Sequence, residues 1–266
     1  MLSFVDRRQR PALSTLSLED LKGFKTADEV VLVLYADDKD HAARELVADI
    51  APLYRNELSF AWVGERGEEV GEWPVVACYR MLDGDVAHFR GFDQEKRDEL
   101  DKWIGEASRG VVGELTALNR DRLIKRGWPM VYLFGETESQ RVELRKVVYK
   151  FARSYYDSLT VVVVDPFAFP GLMEKLGLET GRFPAGAVHQ VSKDRIYHWP
   201  RDLALTPASL QQWGLDVYQG RIKPWTPPGV TTSYDDLGPT RVATGRISIA
   251  SGIPGVKIKV AGHDEL

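Results

Sequence analysis

The sequence predicts an α/β protein of two similar domains in tandem, each a central mixed sheet flanked by helices, followed by an extended C-terminal tail. Its 266 residues are enough for two domains of ordinary size. Apolar strands and amphipathic helices alternate in the same order twice along the chain. In addition, Pro74 and Pro184 each follow a bulky aromatic residue, and they lie 110 residues apart (184 − 74), which is one domain length.

The first half of the chain contains the elements of one such domain. Val30–Tyr35 is a continuous apolar run, which is typical of a central strand buried on both faces. Asp38–Tyr54 places its apolar residues at helical spacing. The other predicted elements are a strand over Leu58–Val63, a strand opened by Pro74, a strand over Val86–Phe89 after the turn Asp83-Gly84, and a closing helix capped by Asp93.

The second half repeats this order. Met130–Phe134 predicts the core strand, and Thr137 with Gln140 forms a capping-box pattern at the start of a long helix. Asp165-Pro166 predicts the first turn of a short helix, because proline is favoured there. The other predicted elements are strands over Leu159–Val164, from Pro184 onward and over Ile196–Trp199, and a last helix that begins at Thr206-Pro207.

Pro74 and Pro184 mark a special backbone geometry. Proline cannot donate a hydrogen bond to a central ladder, so a proline at the start of a strand is commonly preceded by a cis peptide bond. We therefore predict structural cis-prolines at both positions. A duplicated order of strand, helix, strand, then proline, strand, strand and helix is that of the thioredoxin fold.

Short segments at the domain ends resemble the protein disulfide isomerase family. Residues 218–224 (YQGRIKP) are similar to the exit from the second of that family's two non-catalytic b-type domains, and Arg10-Pro11-Ala12 is similar to the start of the first. The resemblance covers residues 1–225. It implies a b-type thioredoxin-like domain over 1–109, a b'-type domain over 110–222, and a linker and tail over 223–266.

The chain carries no dithiol. Cys78 is the only cysteine, so neither an internal disulfide nor a Cys-x-x-Cys motif can form. Catalytic thioredoxin domains place that motif between the first core strand and the long helix, and the matching segments here, Ala36–His41 and Gly135–Gln140, contain no sulfur. We expect no catalytic residues and no oxidase or isomerase activity from this chain. Cys78 itself is predicted to be a buried strand residue.

Other chemistry is also not indicated. The five histidines show no metal-ligand spacing, so neither a metal nor a cofactor is expected. Asp37, Asp38 and Asp40 lack the rest of a calcium loop and are interpreted as helix-capping residues. A net charge of −4 argues against a nucleic-acid partner, and no apolar run is long enough to span a membrane.

The resemblance also implies a binding site. The family's second b-type domain holds unfolded polypeptide in an apolar pocket beside a short helix, and the segment Asp165–Met173 is rich in apolar side chains between prolines. The alternative is that these side chains simply fill the core. Trp225, in a stiff stretch between prolines, is a candidate to fold back and cap the pocket, or else to cover the last helix. The candidate substrate-binding residues are Phe134, Phe167, Phe169, Leu172, Met173, Leu176 and Trp225.

The C-terminus predicts the compartment. His263, Asp264, Glu265 and Leu266 form an HDEL sequence, the address that a receptor reads to retain proteins in the endoplasmic reticulum lumen. The expected partners are thus the HDEL receptor and unfolded or misfolded polypeptides, with a catalytic disulfide isomerase as a further partner. We expect a redox-inactive chaperone module.

Two alternatives stay open. In the first, the chain is the substrate-binding portion of an active protein disulfide isomerase whose Cys-x-x-Cys domain lies outside it. Residues 1–10, which resemble the last helix of a preceding catalytic domain, fit that alternative. In the second, the tandem domains act as a rigid scaffold without affinity for peptides, because fold does not fix function.

Overall fold

The computed structural model describes residues 9–66 and 70–228. Its first sheet has the order β1-β3-β2-β4-β5, in which β1 and β2 run parallel to β3, and β4 runs antiparallel to its neighbours β2 and β5. The strands of this sheet are β1 (Leu13–Leu16), β2 (Val30–Tyr35), β3 (Ser59–Val63), β4 (Val75–Arg80) and β5 (Asp85–Arg90).

Three helices cover this sheet: α1 (Leu18–Lys25), α2 (His41–Tyr54) and α3 (Arg97–Ala107). Because successive strand residues point to opposite faces, β2 divides its side chains between two cores. Leu32 and Leu34 pack in the core that includes residues of α2 and α3, whereas Val31, Val33 and Tyr35 pack in the core that includes residues of α1.

The second sheet repeats this topology. Its order, read from the opposite edge, is β6-β8-β7-β9-β10, again with three parallel strands followed by two antiparallel ones. The strands are β6 (Gly113–Glu114), β7 (Met130–Phe134), β8 (Thr160–Val164), β9 (Ala185–Gln190) and β10 (Arg195–His198). The duplication that the sequence predicts is therefore present, as are the two mixed sheets.

The helices of the second domain are α4 (Arg120–Lys125), α5 (Glu138–Ser154), α6 (Leu172–Lys175) and α7 (Pro207–Tyr218). The predicted capping box of α5 is confirmed, because the Thr137 side chain accepts from the Gln140 N–H and the Gln140 side chain accepts from the Thr137 N–H. A second capping box, between Thr206 and Ser209, starts α7 where the sequence predicts the last helix.

Some local expectations were wrong. Asp165-Pro166 does not begin a helix: the Asp165 carboxylate accepts a hydrogen bond from the Phe167 N–H at 2.9 Å, and this turn delays the helix to Leu172. Asp93 precedes the closing helix region without a side-chain capping bond. The short elements β1, α1, β6 and α4 were not predicted at all.

The two domains meet in a polar junction. Arg80 at the end of β4 donates to the Tyr156 hydroxyl at 2.7 Å, and Arg153 donates to Asp85 at 2.7 Å. The carboxylate of Asp83 accepts from the Val111 N–H at 2.9 Å. The chain passes from the last helix of the first domain to β6 between Ala107 and Gly113, and the domain boundaries 1–109, 110–222 and 223–266 stay predictions.

Within residues 9–66 and 70–228, no helix combines the length and the apolar character that a bilayer crossing requires.

Candidate functional site

Three of the seven predicted pocket residues are buried at one end of the second sheet. Phe134 ends β7 and is fully buried, and Met173 and Leu176 are each only 3 % exposed. They belong to one apolar cluster on the face of the sheet that α6 covers. The structure brings these three candidates together, and it shows them as part of the chain's own core.

Three further candidates differ in how much of the side chain is exposed to solvent. Phe169 and Leu172 are partly buried and pack against it. Phe167, in contrast, is 71 % exposed, since the Asp165 turn leaves its side chain in solvent. Phe167 is thus the candidate that a partner can reach without any rearrangement.

Trp225 folds back onto the second domain. Its N–H donates to the Ile196 carbonyl at 2.7 Å, and the two residues form an isolated antiparallel bridge along the edge strand β10. Its indole lies against Gly177, so closely that a Cβ at Gly177 would overlap the ring. The backbone after α7 therefore returns to the region that follows α6, next to Leu176.

His198 connects β10 to the same region. Its Nε2 lies 2.7 Å from the Leu176 carbonyl oxygen and donates to it, and its ring centroid is 5.5 Å from that of Trp225. Gly177 has φ +69°, a backbone conformation that glycine adopts without strain. Gly177, Ile196 and His198 were missed as site residues, because nothing in the local sequence indicates that they face a tryptophan from beyond α7.

The positions that match a catalytic dithiol hold other interactions. Asp37 pairs with Arg66 at 2.6 Å, a hydrogen bond that lowers the pKa of the Asp37 carboxyl. The Asp40 carboxylate accepts from the Asp37 N–H at 2.9 Å, and Asp40 makes no side-chain cap bond to α2. Asp38 pairs with Arg44 at 3.4 Å. The interpretation of these carboxylates as caps of α2 is corrected, since ion pairs and a turn occupy them instead.

Cys78 is a closed part of the first domain's core. Its side chain is buried in β4, and Sγ lies 3.4 Å from the Ala107 carbonyl oxygen. Burial raises the pKa of this thiol to about 12, so it stays protonated at neutral pH.

The predicted cis peptide bonds are at the expected positions, Trp73–Pro74 and Phe183–Pro184. In the part of the chain that the structure describes, no group of three or more His, Cys, Asp and Glu side chains could hold a metal ion.

Comparison with known proteins places the chain in a family. The sequence model described as a thioredoxin-like domain matches residues 66–214. The chain is 25% identical over 225 residues to the protein disulfide-isomerase of Humicola insolens, covering 84% of this chain and 44% of that protein. It is also 25% identical over 228 residues to the protein disulfide-isomerase of Aspergillus oryzae, with the same coverage. The chain thus spans less than half the length of these curated relatives.

Solved structures show the same fold. The bb fragment of ERp72 superimposes with a TM-score of 0.62 at 16% identity, covering 80% of this chain and 100% of that fragment. Human ERp44 (form II) gives a TM-score of 0.52 at 18% identity, covering 82% of this chain and 60% of that one. With the duplicated sheets and the family match, these similarities lead to one conclusion. The chain belongs to the protein disulfide isomerase family, with two thioredoxin-like domains in tandem.

Proposed function

We propose that this chain is a redox-inactive module that binds unfolded polypeptide through the second domain, in the lumen of the endoplasmic reticulum. The observation that carries the proposal is the contact of Trp225 with Gly177. The large apolar side chain of Trp225 lies there on the domain surface, and the backbone of the same residue pairs with β10. An extended client chain offers the same two features, an apolar side chain and a free backbone.

In this proposal Trp225 acts as an internal substitute for a client. When Trp225 leaves, the surface of Gly177 and the Ile196 carbonyl become available to a client side chain and to a client N–H. The exposed Phe167 provides an additional apolar contact, and Phe169 and Leu172 support the site from the cluster beneath. Client binding and Trp225 docking then compete for one site.

Redox inactivity is supported by the thiol count. The chain has a single cysteine, and Cys78 is buried with its pKa raised, so it is neither a nucleophile nor half of a dithiol. The lumenal location rests on the HDEL sequence His263–Leu266, which lies outside the described residues.

A second candidate function is the binding portion of an active disulfide isomerase. The relatives from Humicola insolens and Aspergillus oryzae carry the name protein disulfide-isomerase, and this chain matches 44% of their length. Sequencing the gene upstream of the codon for Met1 distinguishes the two candidates. An in-frame Cys-x-x-Cys domain there favours the isomerase, and a signal peptide directly before Met1 favours the independent module.

The proposal predicts that Trp225→Ala raises the affinity for unfolded polypeptide. If Trp225 occupies the site in about nine molecules of ten, its removal lowers the apparent Kd roughly tenfold. The measurement is fluorescence anisotropy of a labelled, uncharged apolar peptide titrated with the full chain. Phe169→Ser is expected to weaken binding, because it removes apolar support from the site.

Trp128→Ala serves as the matched control, since Trp128 is an exposed tryptophan elsewhere in the second domain. It is expected to leave the affinity unchanged. Unchanged or weaker binding by Trp225→Ala would show that Trp225 is not a competitor, and an absence of any saturable binding would leave only the scaffold alternative.

A further inference from the structure

The docked Trp225 segment sets the register in which an extended chain meets β10. The bridge between Ile196 and Trp225 is antiparallel, and the Trp225 N–H donates to the Ile196 carbonyl. Because antiparallel strands run in opposite order, this register places the residue after Trp225 opposite Arg195. A client whose own aromatic residue replaces Trp225 therefore brings its next residue opposite Arg195. We call these two client positions the anchor position and the following position.

The two client positions point to opposite faces of the second sheet. Ile196 packs with the apolar cluster on the face that α6 covers, which is also the side of Gly177 and the Trp225 indole. Arg195 precedes Ile196 in β10 and points to the other face, because successive strand residues alternate. A side chain at the following position therefore points away from Gly177 and lies beside Arg195.

Arg195 is a half-buried cation that forms no ion pair with any residue in the described ranges 9–66 and 70–228. Its partner across the hairpin in β9 is the uncharged Gln190. The carboxylate of the preceding residue, Asp194, is bonded to His189 at 2.9 Å. The charge of Arg195 is thus available to a ligand on the open edge of β10.

The turn before β10 adds a second cation. Lys193 is exposed, and it too has no ion-pair partner in the part of the chain that the structure describes. A carboxylate at the following position therefore meets Arg195 and Lys193, whereas the one acidic residue of this turn, Asp194, is bonded to His189. This distribution of charge is complementary to an acidic client residue.

We propose that the Trp225 site selects extended client segments in which an aromatic residue is followed directly by aspartate or glutamate. The aromatic ring lies against Gly177 as the indole does, and the carboxylate pairs with Arg195 across the two strands. Opposite charges directly across a strand pair stabilise the pairing, and like charges destabilise it. This inference rests on the proposed function and names the substrate class of the same site.

The chain's own segment lacks this ion pair. The residue after Trp225 is Thr226, whose side chain carries no charge. A client with a carboxylate at the following position therefore gains an interaction with Arg195 that the docked Trp225 segment does not make. Such a client displaces Trp225 more readily than a client with an uncharged residue there.

Two labelled seven-residue peptides of identical composition test this inference on the full chain carrying Trp225→Ala. The first is Gly-Gln-Pro-Trp-Glu-Pro-Gly, with glutamate at the following position. The second exchanges the glutamine and the glutamate, which moves the carboxylate to the face that α6 covers. Anisotropy is measured at about pH 8, where histidine is ordinarily neutral. We expect about threefold tighter binding of the first peptide, which is about 0.7 kcal/mol, and loss of this advantage at about 0.5 M salt.

A further substitution assigns the effect to Arg195. Arg195→Gln, added to the Trp225→Ala chain, is expected to reduce the affinity of the first peptide to that of the second and to leave the second unchanged. Arg120→Gln serves as the matched control, because Arg120 is an exposed arginine of α4, which follows β6 at the opposite edge of the sheet. This variant should keep the threefold or so advantage of the first peptide.

The outcomes separate this inference from the proposed function. Equal affinity of the two peptides, or an advantage that survives Arg195→Gln, overturns the preference for an acidic residue and leaves the Trp225 site as a binding site. An absence of saturable binding by both peptides overturns the preference and the proposed function together.

Discussion

The position of the Trp225 indole depends on the absence of a side chain at Gly177. The indole lies where any side chain on Gly177 would be, and the positive φ of Gly177 is itself unfavourable for other residues. The sequence indicated that Trp225 could fold back, because prolines stiffen its surroundings. The receiving surface could not be predicted, since Gly177 and Trp225 are brought together by the path of the chain through β9, β10 and α7.

Gly177→Ala is expected to displace Trp225 but to weaken peptide binding, unlike Trp225→Ala, because the added methyl group fills the place that a client side chain would take. The left-handed backbone adds a loss of about 1 kcal/mol of stability. Anisotropy titration gives the affinity, and urea unfolding gives the free energy of unfolding.

Gly181→Ala is a matched control for the backbone cost alone. Gly181 has φ +80°, and a Cβ there would meet nothing within 4 Å. It should therefore lose similar stability without any change in peptide affinity. If both glycine variants leave the affinity unaltered, the indole does not compete with the peptide at Gly177.

At the scale of elements, long segments followed their sequence patterns and short ones did not. The strands β2, β7 and β8 are continuous apolar runs, and α2 and α5 span several turns, so their periodicity could be recognised. The strands β1 and β6 have four and two residues, too few for a periodic pattern. Their pairing partners are β3 and β8, tens of residues away in the chain, so tertiary structure determines these strands.

Thr137→Ala is expected to destabilise the protein by about 1 kcal/mol, because it removes the side-chain acceptor at the start of α5. The measurement is urea unfolding followed by far-UV circular dichroism. Ser139→Ala changes an exposed residue in the first turn of the same helix, and it controls for a small change in helix propensity. Equal effects of the two variants would mean that the capping box contributes nothing beyond propensity.

At the scale of the whole molecule, hydrogen bonds between charged side chains connect the two domains. Asp85 accepts from Arg80 at 2.6 Å within the first domain and from Arg153 of the second at 2.7 Å. These bonds lower the pKa of the Asp85 carboxyl. Arg109 adds a stacking contact, with its guanidinium 3.7 Å from the ring centre of Tyr156. The junction therefore contributes to stability as well as to the relative placement of the sheets.

The lowered pKa of Asp85 predicts a dependence of stability on pH. Because this pKa is lower in the folded than in the unfolded chain, the contribution of Asp85 is fully present above the ordinary value of 3.8 and is lost as pH falls through the folded value. Asp85→Asn should thus lower the free energy of unfolding by about 2 kcal/mol at pH 7. The loss should shrink towards pH 2 in urea unfolding experiments.

Asp202→Asn controls for removal of an exposed carboxylate and should have little effect at either pH. Asp83 has the opposite effect on the pH dependence of stability. Burial raises the pKa of its carboxyl, so protonation at low pH favours the folded state. A loss in Asp85→Asn that is the same at pH 7 and pH 2 would contradict an electrostatic role for Asp85.

The sequence by itself determined the duplicated fold, the two proline positions and the lack of a dithiol. These properties depend on local patterns or on composition, which a linear chain displays directly. Only the tertiary structure decided where Trp225 lies, which apolar residues are covered, and how Arg80, Tyr156 and their partners join the domains. Such contacts connect residues far apart in the chain, so they exist only once both sheets have formed and packed together.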